Sequence, residues 1–243
     1  MPHLSVVIPA FNEELRLPKT LERTISHLRG ASFSFEFVIV DDGSTDATVR
    51  LVKVLGEKYP EIRLLSDGIN RGRGAAVKKG IFEARGDLIL ETDSDGSVAD
   101  EAIPRFVAAF DKDPELDAVF GSRMLPESRI VLWQPLMRTL LGYGFLYLAR
   151  CMFWMWRTTD FTLGFKMYRR DAAHDIFAHQ YDPFYVAEAE KVFLAKIRGH
   201  TFRELPVTWT DDPDSRVKPL RDTVRSLYGM FQILGRYFAG NYR

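Results

Sequence analysis

Cysteine occurs once in this chain of 243 residues, at Cys151. A single thiol excludes an intramolecular disulfide framework and a cysteine-built zinc cage, and it fits a reducing compartment. The five histidines, His3, His27, His174, His179 and His200, do not fall at metalloprotease spacing. An excess of one charge is also lacking. The 33 basic and 33 acidic residues cancel, which argues against a nucleic-acid partner, so any electrostatic site must be local. No run reaches the roughly 20 apolar residues of a spanning helix; the nearest, Val131 to Trp156, is broken by Gln134, Arg138 and Arg150. A cleavable leader pattern is missing, because Pro9, Asn12, Glu13 and Glu14 interrupt the first apolar stretch, and the expectation is a cytoplasmic protein. There is no Gly-x-Ser-x-Gly elbow and no phosphate-loop lysine motif, and Arg71-Gly72-Arg73-Gly74 lacks the acidic ribose partner of a dinucleotide fingerprint.

What is present is a core-forming composition, 46% hydrophobic, arranged in an alternating pattern through the first half. Short β-rich runs at Leu4 to Pro9, Phe35 to Val40, Ile62 to Leu65, Asp87 to Glu91 and Ala118 to Phe120 alternate with helical patterns. The helices are expected near Pro18 to Arg29, Asp46 to Glu57, Gly74 to Ala84 and Asp100 to Phe110. Such alternation predicts an α/β fold, a Rossmann-like, mostly parallel sheet flanked by helices, with ligands at the carboxyl ends of the strands. Beyond Arg123 the alternation stops. A segment dense in Leu, Met, Phe, Tyr and Trp follows, with arginines at Arg138, Arg150 and Arg157 and indoles at Trp133, Trp154 and Trp156. It reads as amphipathic helices at a lipid interface, or as a core helix pair or dimer face.

The most informative stretch is Leu88-Ile89-Leu90-Glu91-Thr92-Asp93-Ser94-Asp95-Gly96, a buried-strand pattern that ends in two carboxylates one residue apart. At a strand's carboxyl end these acids sit where a metal and its phosphates bind, although Asp-Ser-Asp-Gly is also ordinary turn chemistry. After the second strand, Asp41-Asp42-Gly43-Ser44-Thr45-Asp46 places Asp41 at the strand tip and Asp46 as a helix N-cap. In Arg71-Gly72-Arg73-Gly74-Ala75-Ala76 small residues allow a helix N-terminus to approach a ligand or the sheet closely.

Taken together, Pro9-Ala10-Phe11-Asn12-Glu13-Glu14, Asp41-Asp42-Gly43-Ser44 and Asp93-Ser94-Asp95 resemble, in order and spacing, the family-2 inverting glycosyltransferases of GT-A fold. Gly121-Ser122-Arg123, Gly164-Phe165-Lys166-Met167-Tyr168-Arg169-Arg170 and Ser215-Arg216-Val217 look like the polyprenyl-phosphate branch, which includes dolichyl-phosphate mannose and glucose synthases. The resemblance implies a nucleotide-sugar half at 1–125, an amphipathic interfacial segment at 126–160 and an acceptor region at 161–243, all within one catalytic domain. Pro9, Ala10, Phe11, Glu13 and Arg73 would then line the nucleotide-sugar pocket, and Asp41 would contact base or ribose. Asp93 would face the ribose and donor sugar, and Asp95 would hold the Mg²⁺ or Mn²⁺ that bridges the diphosphate. Ser97 stands where many relatives have Gln, as in glucosyl-type members, which leaves the metal's second protein ligand open.

The family's acidic pair aligns with Glu188-Ala189-Glu190. Carboxylates spaced this way on a helix point to different faces, and Glu190 is the expected member on the acceptor side. Arg123, Arg138, Arg216 and Lys218 are the candidates for holding the acceptor phosphate, and Asp93, Asp95, Glu190 and Arg123 form the expected catalytic set. A lipid phosphate is already anionic near neutral pH, so it attacks without a general base and needs only in-line alignment. The implied activity is transfer of mannose or glucose from GDP-mannose or UDP-glucose to a polyprenyl or dolichyl phosphate, at the cytoplasmic face of a membrane. Membrane-protein partners or a homodimer are compatible with this. Two other readings are a related enzyme with a soluble saccharide or hydroxyl acceptor, which would need a carboxylate base, and a non-catalytic nucleotide-sugar-binding subunit.

Overall fold

The computed structural model describes residues 1–132, 136–184, 186–212 and 219–242, without the side chains of 136–138 and 219–223. The elements run β1 (Leu4–Ala10), α1 (Leu17–Leu28), β2 (Phe35–Asp41), α2 (Thr48–Lys58), β3 (Ile62–Ser66), α3 (Arg73–Glu83), β4 (Leu88–Glu91), α4 (Ala102–Lys112) and β5 (Ala118–Ser122). They continue as β6 (Arg129–Leu132), α5 (Leu136–Met152), β7 (Lys166–Arg169), α6 (Arg170–His179), α7 (Ala187–Ile197), β8 (Phe202–Pro206), β9 (Thr208–Thr210) and α8 (Pro219–Phe238).

Seven strands form one sheet in the order β3-β2-β1-β4-β7-β5-β8, and β6 and β9 pair beside it. All neighbours in the large sheet are parallel except β7, which runs antiparallel between β4 and β5. Both faces of β1, β2 and β4 are covered, which is why their sequences are nearly continuous apolar runs. Along β1 the side chains alternate: Leu4, Val6, Ile8 and Ala10 pack toward α1, α2 and α4, whereas Val7 packs toward α3 and α5–α8. The strand order reverses at β1 and β4, so a crevice opens at the carboxyl ends of these two strands.

The second half of the chain does not form a separate layer. β7 completes the sheet between two first-half strands, so the 161–243 region shares one sheet with the first half of the chain. The 126–160 segment begins with a strand, β6, before its helix, because β6 pairs with β9 rather than continuing an amphipathic helix from Val131. α8 packs along α5, and Trp154 meets Tyr237 and Phe238 at ring-centroid distances of 6.4 and 6.1 Å. Among the described residues no helix is long and apolar enough to cross a membrane.

Candidate active site

A cavity of about 720 Å³ opens at the ends of β1 and β4. It is lined by Pro9 and Ala10 at the end of β1, by Phe11 and Glu13 just after it, and by Asp93, Ser94, Asp95 and Ser97 after β4. Leu141, Tyr143, Phe145 and Leu146 of α5 add apolar and aromatic side chains to the same lining.

The loops after β1 and β2 are held together by Asn12, which adopts a left-handed backbone at φ 55°. Its Oδ1 accepts from the Thr45 amide (2.7 Å) and its own amide donates to Ser44 Oγ (2.9 Å). The Glu13 amide donates to Thr48 Oγ1 (2.7 Å), and its carboxylate accepts from Arg16 Nε (2.8 Å) and Nη2 (2.6 Å). The entry of α2 departs slightly from expectation. Asp46 does accept from the Thr48 amide (2.9 Å), but the helix begins two residues later, at Thr48.

Of the two aspartates after β2, the expected contact residue Asp41 is not in the large cavity. Its carboxylate accepts from the Ser44 amide (3.0 Å) and from Ser66 Oγ (2.8 Å), and it lines an adjoining pocket of about 150 Å³. Asp42, just beyond the end of β2, lines both cavities. Asp42 accepts from the amides of Arg71 (2.7 Å) and Gly72 (3.0 Å). Burial pushes its carboxyl up, against the pull of those amides. Gly72 has φ 96°, and a Cβ there would stand 2.6 Å from Pro183 O. The Gly74 amide at the start of α3 donates to that same carbonyl (2.8 Å). The small residues therefore bring the α3 N-terminus against the 182–184 loop rather than leaving these groups for an anion.

Arg73 binds Asp93 from the other side: Nε donates to Oδ1 (2.8 Å), and Nη2 lies 2.6 Å from the same oxygen. Its Nη1 donates to Glu188. Asp93 is pushed up by burial and by the neighbouring Asp95 and Glu188, and Arg73 opposes that shift. Gly164 packs directly on the pair, where an added Cβ would lie 2.3 Å from Arg73 Nη2 and 2.6 Å from Asp93 Oδ2. Gly164→Ala is expected to break the Arg73–Asp93 geometry and weaken ligand binding in this cavity at least tenfold, about 1.4 kcal/mol, which titration calorimetry would measure.

The acidic pair on α7 is divided between two environments, as its spacing requires, but the member in the cavity is Glu188 and not Glu190. Glu190 is buried and accepts from the amides of Tyr181 (3.0 Å) and Asp182 (2.8 Å) and from the Tyr242 hydroxyl (2.5 Å). It anchors the 181–184 loop. Burial would raise the Glu188 carboxyl, but Lys166, Lys191 and Arg73 around it hold it well below the usual carboxylate range. Lys191 donates to it at 2.6 Å, and Lys166 donates to its other oxygen.

Arg123 lines the cavity and is firmly seated. Nε and Nη2 donate to Asp160 (2.8 and 3.0 Å), Nη2 donates to Thr162 Oγ1 (2.6 Å), and the guanidinium lies 5.2 Å from the Trp209 ring centroid. Burial opposes ionisation of Asp160, but Arg123 and the hydrogen bonds to it hold its carboxyl far below its ordinary range. Arg216 and Lys218 lie outside the described residues, as does the Arg138 side chain.

Asp95 is the residue that fits a divalent ion. One oxygen accepts from the Ser97 amide (2.9 Å), and the carboxylate lines the cavity two residues from Asp93. Among the described residues no three His, Cys, Asp or Glu side chains cluster as a closed cage. A single carboxylate completed by phosphate oxygens and water is a donor set that suits Mg²⁺ or Mn²⁺.

A sheet with its switch point at β1 and β4, and a cavity there lined by the paired acids of the β4 tip, define an α/β protein with a ligand site at the strand carboxyl ends. The chain belongs to Glycosyl transferase family 2, whose signature matches residues 5–177. Over 98% of its length the chain is 34% identical to a dolichyl-phosphate beta-glucosyltransferase of Dictyostelium discoideum, covering 76% of that protein. It is 30% identical to the Homo sapiens dolichyl-phosphate beta-glucosyltransferase, covering 99% of this chain and 77% of the human one. Among solved structures, glucosyl-3-phosphoglycerate synthase from Mycobacterium tuberculosis in complex with UDP superposes with a TM-score of 0.70 at 18% identity, over 96% of this chain and 80% of that one. The same enzyme with Mn²⁺, UDP-glucose and phosphoglyceric acid gives 0.67 at 17% identity, with the same coverage. These likenesses establish the GT-A-type fold.

Proposed function

We propose that the protein transfers glucose from UDP-glucose to a polyprenyl phosphate, with inversion at the anomeric carbon and a divalent ion on the diphosphate. The observation that carries this reading is one cavity lined both by acids at the β4 tip and by apolar and aromatic side chains of α5. The names of the relatives favour glucose over mannose and a lipid phosphate over a soluble acceptor. The outer surfaces of the neighbouring helices fit a lipid acceptor: Leu140, Tyr143 and Tyr147 on α5, and Val224, Tyr228, Phe231 and Phe238 on α8, are all exposed. So many exposed apolar side chains on one helix pair support contact with a membrane surface.

In this reading Pro9, Ala10, Phe11, Glu13 and Asp42 surround the nucleotide. Arg73 and Asp93 orient the sugar, and Asp95 would hold the ion, which when bound would supply positive charge to the departing diphosphate. Arg123 draws the acceptor phosphate into line, with Nη1 left for the anion because Nε and Nη2 are already engaged. Glu188, ringed by three cations and held ionised, is a weak proton acceptor, which suits a reaction whose nucleophile needs no base.

The test is incubation with radiolabelled UDP-glucose or GDP-mannose, a short polyprenyl phosphate, and anionic liposomes, with and without Mn²⁺. Organic-phase label is expected from UDP-glucose with Mn²⁺, and the protein is expected to sediment with the liposomes. Label from GDP-mannose alone, or transfer only to water-soluble acceptors, would reject the reading.

A further inference from the structure

Glu91, the last residue of β4, is fully buried and does not line the cavity, yet it begins a chain of charges that ends there. The Tyr168 hydroxyl donates to Glu91 Oε1 (2.8 Å), and Lys191 Nζ donates to Oε2. Lys191, also fully buried, donates to Glu188 Oε1 (2.6 Å). Glu188 accepts from Arg73, and Arg73 donates to Asp93 Oδ1 (2.8 Å), two residues beyond Glu91. The contacts thus close a ring from β4 through α7 and α3 back to the β4 tip, with Lys166 of β7 donating to Glu188 from inside. Three carboxylates face three cations, so the formal charge of the cluster is zero.

Stability alone is a poor explanation for this arrangement, because well-packed apolar side chains in place of a buried ion pair usually stabilise a protein as well or better. What the ring does supply is orientation. Lys191 is shared between Glu91 and Glu188, which fixes how far Glu188 can be drawn toward the lysines and therefore where Arg73 and Asp93 stand. We propose that Glu91 is a positioning residue of the donor site, acting through Lys191 and Glu188 on Arg73 and Asp93. The proposal rests on the reading of the cavity as a UDP-glucose site. Without the Glu91 charge, Lys191 pulls on Glu188 alone, and the Arg73 contact to Asp93 loses its fixed support.

The test compares wild type, Glu91→Gln and Glu91→Gln/Lys191→Met by thermal melting and by calorimetric titration with UDP-glucose in Mn²⁺. Gln keeps groups for both Tyr168 and Lys191, and the double variant leaves no unpaired charge. The expected result is a double variant that melts at or above the wild-type temperature and binds UDP-glucose about tenfold more weakly, with Glu91→Gln weakened to a similar degree. A ring that only holds the fold together would regain donor affinity along with melting temperature. A double variant that melts and binds like wild type would therefore overturn the proposal, as would loss of cooperative melting in both variants. Failure of the wild type itself to bind UDP-glucose would instead reject the reading of the cavity.

Discussion

Asp95→Ala should lower glucosyl transfer by roughly 10³-fold while leaving the melting temperature within a degree or two of wild type. Asp95 sits on the loop after β4, is partly exposed in the cavity and accepts one local hydrogen bond, from the Ser97 amide. Removing such a side chain costs the fold little. In the proposed reading, however, its carboxylate would hold the ion on the diphosphate, and charge stabilisation of that kind contributes several kcal/mol, with each 1.36 kcal/mol a factor of ten in rate. Turnover against Mn²⁺ concentration, measured beside a thermal melt, checks both halves. Unchanged transfer would remove Asp95 from the site.

Lys191→Met should have the opposite profile, a large loss of stability. Lys191 and Glu91 are both fully buried and hydrogen-bonded to each other. Breaking such a pair from one side leaves Glu91 charged or forces it to take a proton, at a cost of about 3–5 kcal/mol. For a chain of this size that corresponds to a fall in melting temperature of about 6–20 °C. Adding Glu91→Gln to Lys191→Met should return the melting temperature to the wild-type value or above, and a double-mutant cycle by calorimetric melting would measure the coupling directly.

The alternating half of the chain was legible because its strands are apolar on both faces and its helices carry one buried stripe. The five expected strands all form, with ends displaced by at most two residues. The later strands carry no such pattern. β7 is Lys-Met-Tyr-Arg, whose buried lysine donates to the nearby Leu163 carbonyl but finds its counter-charge in Glu188, 22 residues further along the chain. β8 is Phe-Arg-Glu-Leu-Pro, where Glu204 points its charge at the amides of Thr159 and Asp160. In both, polar residues in a sheet are satisfied by contacts far away in sequence, which local periodicity does not encode. The site was legible to the level of the motif. Pro9, Ala10, Phe11, Glu13, Arg73, Asp93, Asp95 and Arg123 all line one cavity. The choice between adjacent acids was not legible. Asp41 against Asp42, and Glu190 against Glu188, each turn on which side of an element faces the cavity. Residues 187–195 of α7 are all buried, so hydrophobicity gives that helix no outward face. The one available signal was Lys191, three residues after Glu188 and on the same side.

The antiparallel strand in the middle of the sheet has a consequence for biosynthesis. Until Lys166–Arg169 leaves the ribosome, β4 has no hydrogen-bonding neighbour on one flank, and a nascent chain ending anywhere before that point presents an open, strongly apolar border. Fragments that stop short of this strand should be sticky and slow to settle, and closure of the sheet should be among the last events of folding, once this strand has been made.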